Sequence, residues 1–148
     1  FFLAFSQFFR VSTISKVLSV LGTIVGVASG LCFIGVAFAP ADIRMSAHMF
    51  FVLWAFRLFP VAAALYAAAI FIHPTYPRRF GWIMIGFMVL LVGYILLLEI
   101  GPSALENSTG QMIQVVGQKV IVYFSIFIVM LQSEGANQFA NLSRVRTR

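Results

Sequence analysis

Apolar residues run along this chain in long blocks broken by short polar punctuation. About 20 consecutive apolar residues cross a bilayer as a helix, and four blocks approach or exceed that length. They predict helices at about 16–39 (stopped by Pro40), 48–72 (stopped by HPTYP), 80–100 (stopped by Gly101 and Pro102) and 114–133, built on GQKVIVYFSIFIVML. The fourth is the shortest, and its pattern allows a start as early as Met112. The short alternating segments of a membrane barrel are missing from the pattern. The expected fold class is therefore all-α, an integral membrane four-helix bundle in one domain, with 134–148 left over as a basic tail. The opening FFLAFSQFF starts abruptly on Phe1. It reads as the end of a preceding helix or as an interfacial segment. It lacks the basic start of a secretory signal.

Small residues form a second pattern inside the first. Gly22, Gly26 and Gly30 recur at every fourth position, with Gly35 off the register. In lipid, small residues at that spacing let two backbones approach closely. The second block answers with VAAALYAAA. If both blocks end at one surface, Gly26 lies level with Ala62 and Gly22 with Tyr66. This predicts a tight antiparallel hairpin of the first two helices. The competing reading makes the same stripe a homodimer seam. Gly86 and Gly93 offer a weaker version in the third block.

Charge sets the expected orientation. The chain is 61% hydrophobic and 9% charged, with a net charge of +6. A soluble domain carries roughly 25% charged residues. Arg10, Lys16, Arg78, Arg79, Arg144, Arg146 and Arg148 fall on one side of the predicted crossings, and Arg44 and Lys119 on the other. The positive-inside rule then puts both termini and HPTYPRR in the cytoplasm of an inner or plasma membrane. Arg78, Arg79 and the tail would meet anionic headgroups. Asp42, Glu99, Glu106 and the loop GPSALENSTGQMIQ would face outward, with a glycosylation sequon at Asn107-Ser108-Thr109. Basic residues at block edges, rather than in patches on a polar surface, argue against nucleic acid as a partner. The single cysteine, Cys32, lies in an apolar block and reads as a small hydrophobe.

Arg57 breaks the pattern. It stands within FFVLWAFRLFPVAAALYAAAIF, roughly 10 Å below the outer end of its helix at 1.5 Å per residue. An arginine near the bilayer centre costs about 2.5–3.5 kcal/mol, so it needs a partner. Side chains lean toward the N-terminus of their helix. Arg57 and Glu99 sit on antiparallel helices and so lean toward each other. An Arg57–Glu99 pair follows, direct or through water, with Tyr94 as a nearby hydrogen-bond partner and Trp54 placed for a cation–π contact. Three readings stand open. The pair fixes helix register, or it opens to an outward cavity with His48 that binds an anionic group, or Arg57 meets an acid on another subunit. Pro60 removes a backbone donor nearby and predicts a kink.

Catalytic sets are sparse. Asp42, Ser46 and His48 group at the outer mouth near Glu99. Asp42, His48 and Glu99 are three metal-capable side chains, but no closely spaced histidine pair accompanies them. Ser46 and His48 are two apart and diverge on a helix. Asp42 and Ser46 read more simply as caps of the second helix. No phosphate-cradling loop or dinucleotide fingerprint is present, so no cofactor and no metal is expected.

The segment GVAFAPADIRMSAHMFFVLWAF, with Phe38, Pro40, Asp42 and His48, resembles a group of small multi-pass membrane proteins of unassigned function related to the DRAM-like proteins. The resemblance covers a small part of the chain. It implies five or six crossings, which would put one helix before Phe1, and a membrane protein without established catalysis.

Taken together the sequence predicts a non-enzymatic membrane protein, an accessory or structural subunit or a lipid-interacting module. Its partners would be membrane lipids and other membrane subunits or a second copy. The alternatives are a small transporter with an outward cavity at Arg57 and Glu99, and a lipid-modifying enzyme using Asp42, His48 and Glu99.

Overall fold

The computed structural model describes residues 1–101 and 108–146, with side chains described as far as 141. Glu106, Asn107 and the arginine side chains of the tail lie outside that range. The elements are α1 (Phe2–Phe5) with a 3-10 turn (Ser6–Phe9), α2 (Thr13–Phe38), α3 (Met45–Ile72), α4 (Arg78–Ile100) and α5 (Ser108–Arg146). Four of these, α2 to α5, are long and apolar enough to cross a membrane, and no strand occurs among the described residues. The protein is an all-α membrane-embedded bundle. The four spans begin or end a few residues from the apolar blocks. Ser12 starts α2 early, because its Oγ accepts the Ser15 N–H at 3.1 Å, a standard N-cap. Neither Asp42 nor Ser46 caps α3, whose N-terminus carries no side-chain cap.

The largest departure is α5. It starts at Ser108 inside the expected loop and continues past 133 through most of the expected tail. Its polar C-terminal half is held by packing. Gln132 Nε2 donates to the Phe80 carbonyl at 3.0 Å. Phe139 stacks against His73 and Tyr76. Residues 132, 135 and 139 repeat at helical spacing, so they share the packed face.

The helices pack mainly on their neighbours in sequence, and α3 is central: half of its apolar window is buried, against 11% for α5. The packed face of α2, turned to α3 and to the N-terminal segment, is a seam of small residues. Ser15, Ser19, Gly22, Gly26 and Ser29 are all buried on α2, spaced four, three, four and three apart. That average of 3.5 is the repeat that keeps one seam on a neighbouring helix. Two serines also bond across it. Ser15 Oγ donates to the Ala69 carbonyl at 3.3 Å and Ser29 Oγ to the Ala55 carbonyl at 2.8 Å.

The every-fourth glycine stripe therefore divides. A Cβ on Gly22 would stand 3.1 Å from the Tyr66 ring, but one on Gly26 would meet the Phe2 ring at 2.9 Å, and one on Gly30 would meet nothing within 4 Å. Every fourth position advances about 40° around a helix of 3.6 residues per turn. By Gly30 the stripe has turned away from α3. Ala62 is buried in α3, but the group filling the space at Gly26 is Phe2, from the N-terminal segment. Gly35, off the stripe, is the closest approach among the α2 glycines, with the Phe51 ring 2.5 Å from an added Cβ.

Residues 1–9 send part of their side chains into the bundle. Phe5 and Phe9 are fully buried. The Phe2 carbonyl accepts from Tyr66 Oη at 3.0 Å and from Thr23 Oγ1 at 3.2 Å. Phe8 reaches Phe139 of α5. The segment fills the interior from the level of Gly26 down to the α3–α4 turn.

That turn, expected as a rigid cytoplasmic HPTYPRR turn, sends two of its side chains inside and leaves its arginines exposed. His73 and Tyr76 are buried among Phe5, Phe9 and Phe139. His73 Nδ1 accepts the N–H groups of Thr75 and Tyr76 at 3.3 and 3.1 Å, which makes the ring neutral with its proton on Nε2. Nε2 is buried without a hydrogen-bond partner. Burial lowers the His73 pKa below its ordinary 6.5, opposed by the Phe8 backbone carbonyl. Burial likewise raises that of Tyr76. Below pH 6.5 the unfolded chain takes a proton that the folded chain refuses. Stability should therefore fall as pH drops from about 7 toward the lowered folded value, then level off. His73→Asn keeps an acceptor for the two N–H groups and does not titrate. The variant should lose this pH dependence in unfolding titrations. An unchanged slope would mean that another group causes it.

Arg79 stays exposed but is tied to α5. It donates to Gln138 Oε1, while Gln138 Nε2 donates to Glu134 Oε1 at 2.8 Å. Its guanidinium lies 5.0 Å from the Phe80 ring centre. It is thus engaged with α5 and not left wholly to headgroups.

Candidate functional site

At the opposite end of the bundle α4 is the shortest of the spanning helices, and α3 and α5 flank its last turns. α4 and α5 are held apart there by a ring. Tyr94 lies against Gly117, where an added Cβ would come within 2.9 Å of the ring. Its hydroxyl donates to the Gln114 carbonyl at 3.2 Å, and its face meets Phe56 at 5.1 Å. The same device recurs at the other end of the α4–α5 contact, where Phe80 lies against Gly135 at 2.9 Å from an added Cβ.

Above Tyr94 the three helices enclose a cavity of about 240 Å³. Arg57 of α3 and Glu99 of α4 form a salt bridge across it. The guanidinium Nη2 donates to Glu99 Oε1. Their side chains remain 48% and 47% exposed, so the pair is open on one side. Where water reaches such a pair it contributes about 0–1 kcal/mol and parts at small cost. The opposing wall comes from α5, where Gln111, Gln114 and Gln118 line the cavity at spacings of three and four. That spacing puts three amides on one helix face. Val52, Leu53, Leu98 and Val115 supply apolar surface.

His48 lies at the upper rim. Its Nδ1 is 2.8 Å from the Ala39 carbonyl and so ties the start of α3 to the end of α2. No protein-family model, curated protein or solved structure matches this chain. Its function is accordingly read from these side chains alone.

Of the residues singled out in the sequence, Arg57, Glu99, His48 and Tyr94 line one cavity. Tyr94 serves it as a floor and bonds to α5, not to Arg57. Trp54 is half exposed and stacks toward Phe50 at 6.3 Å, with no cation–π contact to Arg57 among the described residues. Pro60 is buried within α3. Asp42 lies in the α2–α3 turn. Among the described residues no three His, Cys, Asp or Glu side chains group as metal ligands would. Gln111, Gln114 and Gln118 were not singled out, because Gln111 falls in the expected loop while Gln114 and Gln118 open the fourth predicted helix, where they read as its polar edge. The spacing GQMIQVVGQ carried the signal: polar positions three and four apart are a helix face.

Proposed function

We propose that this is a non-enzymatic membrane module that holds a lipid headgroup in the cavity between α3, α4 and α5. One observation carries this reading: an ion pair set among apolar walls in a membrane-embedded bundle, with half of each side chain left open to a headgroup-sized space. A device serving only helix register gains nothing from such an opening. Ionisable groups within membrane spans are rare, and by default they mark binding or transport paths. The cavity is smaller than the roughly 300–1,000 Å³ of drug-sized ligand sites, which fits a headgroup better than a large substrate. The charge asymmetry supports termini on the cytoplasmic side and a cavity that opens outward.

The test is native mass spectrometry of protein extracted gently from its own membrane. Wild type should carry a bound phospholipid, and Arg57→Gln should lose it by about tenfold or more, the factor that corresponds to about 1.4 kcal/mol. Wild type released without lipid overturns the reading. A second reading, an accessory subunit, draws on α5. Only 11% of its apolar window is buried, leaving a broad face for another chain. The same spectra would then show a heavier assembly.

A further inference from the structure

We infer that the ligand of the Arg57–Glu99 cavity is zwitterionic, with a phosphate set on Arg57 and a primary ammonium on Glu99, as in the headgroup of an ethanolamine phospholipid. The inference rests on reading the cavity as a lipid site and goes on to name the headgroup. Charge decides it. Arg57 brings a guanidinium and Glu99 a carboxylate to the lining, so their two charges cancel. A group that is only anionic gains Arg57 but must settle beside the carboxylate it displaces. A group that is only cationic meets the mirror problem. A zwitterion replaces each half of the pair with an opposite charge of its own, and no charge is left unpaired in an apolar surround. Half-exposed side chains let the exchange happen without unpacking the helices.

The amides refine the choice. Gln111 and Gln118 each offer two N–H donors and a carbonyl acceptor. They can donate to phosphate oxygens and accept from an ammonium. A primary ammonium has three N–H groups to give to Glu99 and a glutamine carbonyl. A quaternary ammonium has none. The site should therefore distinguish ethanolamine from choline, whose overall charge is the same. The apolar walls favour a lipid over a free headgroup. Lys119 is a cation on the neighbouring face of α5. It lines a neighbouring groove on α5 that shares Val115 and Gln118 with the cavity. If it reached across, the site would become cationic and the order of preference would reverse.

The experiment uses delipidated full-length protein in detergent, offered equal amounts of phosphatidylethanolamine, phosphatidylcholine and phosphatidylglycerol, with bound lipid read by native mass spectrometry. Wild type should retain phosphatidylethanolamine at least fivefold over either competitor. In Glu99→Gln the preference should pass to phosphatidylglycerol, and Arg57→Gln should lose all three. Wild type that prefers phosphatidylglycerol, or that holds ethanolamine and choline lipids equally, overturns the zwitterion while leaving a lipid site in place. Wild type that binds none of them removes the lipid reading itself. Free phosphoethanolamine is run alongside, and its binding in that last case would assign the site to a soluble zwitterion. Should a variant fail to fold, the wild-type order alone decides.

Discussion

Tyr66→Ala should destabilise the protein by about 3–5 kcal/mol, the range for emptying a buried aromatic site. The side chain is fully buried at the meeting of α2, α3 and the N-terminal segment. Its ring lies within 5.1 to 6.2 Å of the rings of Phe2, Phe5 and Phe9. Its hydroxyl is 2.7 Å from Thr23 Oγ1 and 3.0 Å from the Phe2 carbonyl. In a bilayer, helices are joined by packing and interhelical hydrogen bonds and less by a hydrophobic drive. The cavity left behind is the main loss. Tyr66→Phe separates the two contributions. It removes only the hydroxyl, and Thr23 keeps the Ser19 and Phe2 carbonyls within reach. That variant should cost about 0.6 kcal/mol, the average for such bonds in membrane proteins. Unfolding in a denaturing detergent titration measures both. Equal losses would mean that the hydroxyl, not the ring, holds this junction.

The second large effect is expected at Gly22. Gly22→Ile would drive a branched side chain into Tyr66, already 3.1 Å from the first added carbon. Tyr66 is enclosed on every side, so the strain falls on the α2–α3 distance, and overpacking of this kind costs about 1–3 kcal/mol or more. Gly30→Ile should be nearly neutral, since its added carbon meets nothing within 4 Å. The same detergent titration compares them. Losses of equal size would restore the every-fourth stripe as the interface in place of the 3.5-residue seam.

The contrast between those two glycines shows where the sequence was legible and where it was not. Helix number and the apolar spans were readable, because bilayer thickness sets a length that a run of apolar residues must meet. The meeting of Arg57 and Glu99 was readable too. It follows from antiparallel helices and the lean of their side chains. What the pattern could not give was the partner of each small residue. Gly26 looks like a surface for Ala62, yet Phe2 fills it, and nothing in the local sequence marks Phe2 as an interior residue. His73 and Tyr76 were hidden for the reverse reason. Two prolines and two arginines make their stretch look like an exposed turn, while the burial of these two side chains depends on Phe5, Phe9 and Phe139, which lie far away along the chain. The reach of α5 was obscured by polar residues whose helix is held by packing rather than by apolar content.

The aromatic box around His73 also constrains the order of assembly. The α2–α3 seam joins neighbours in the chain and can close as soon as α3 has entered the membrane. The box cannot close then, because Phe139 is near the end of α5, which is made after α2, α3 and α4. Until α5 arrives, the segment ahead of α2 has an open side where Phe8 and Phe9 should find their cover. Stretches distant in sequence close last and at the greatest entropic cost. Residues 1–9 are thus made before the four spans yet are among the last to reach their final environment, and a chain cut short before Phe139 would leave them unsealed.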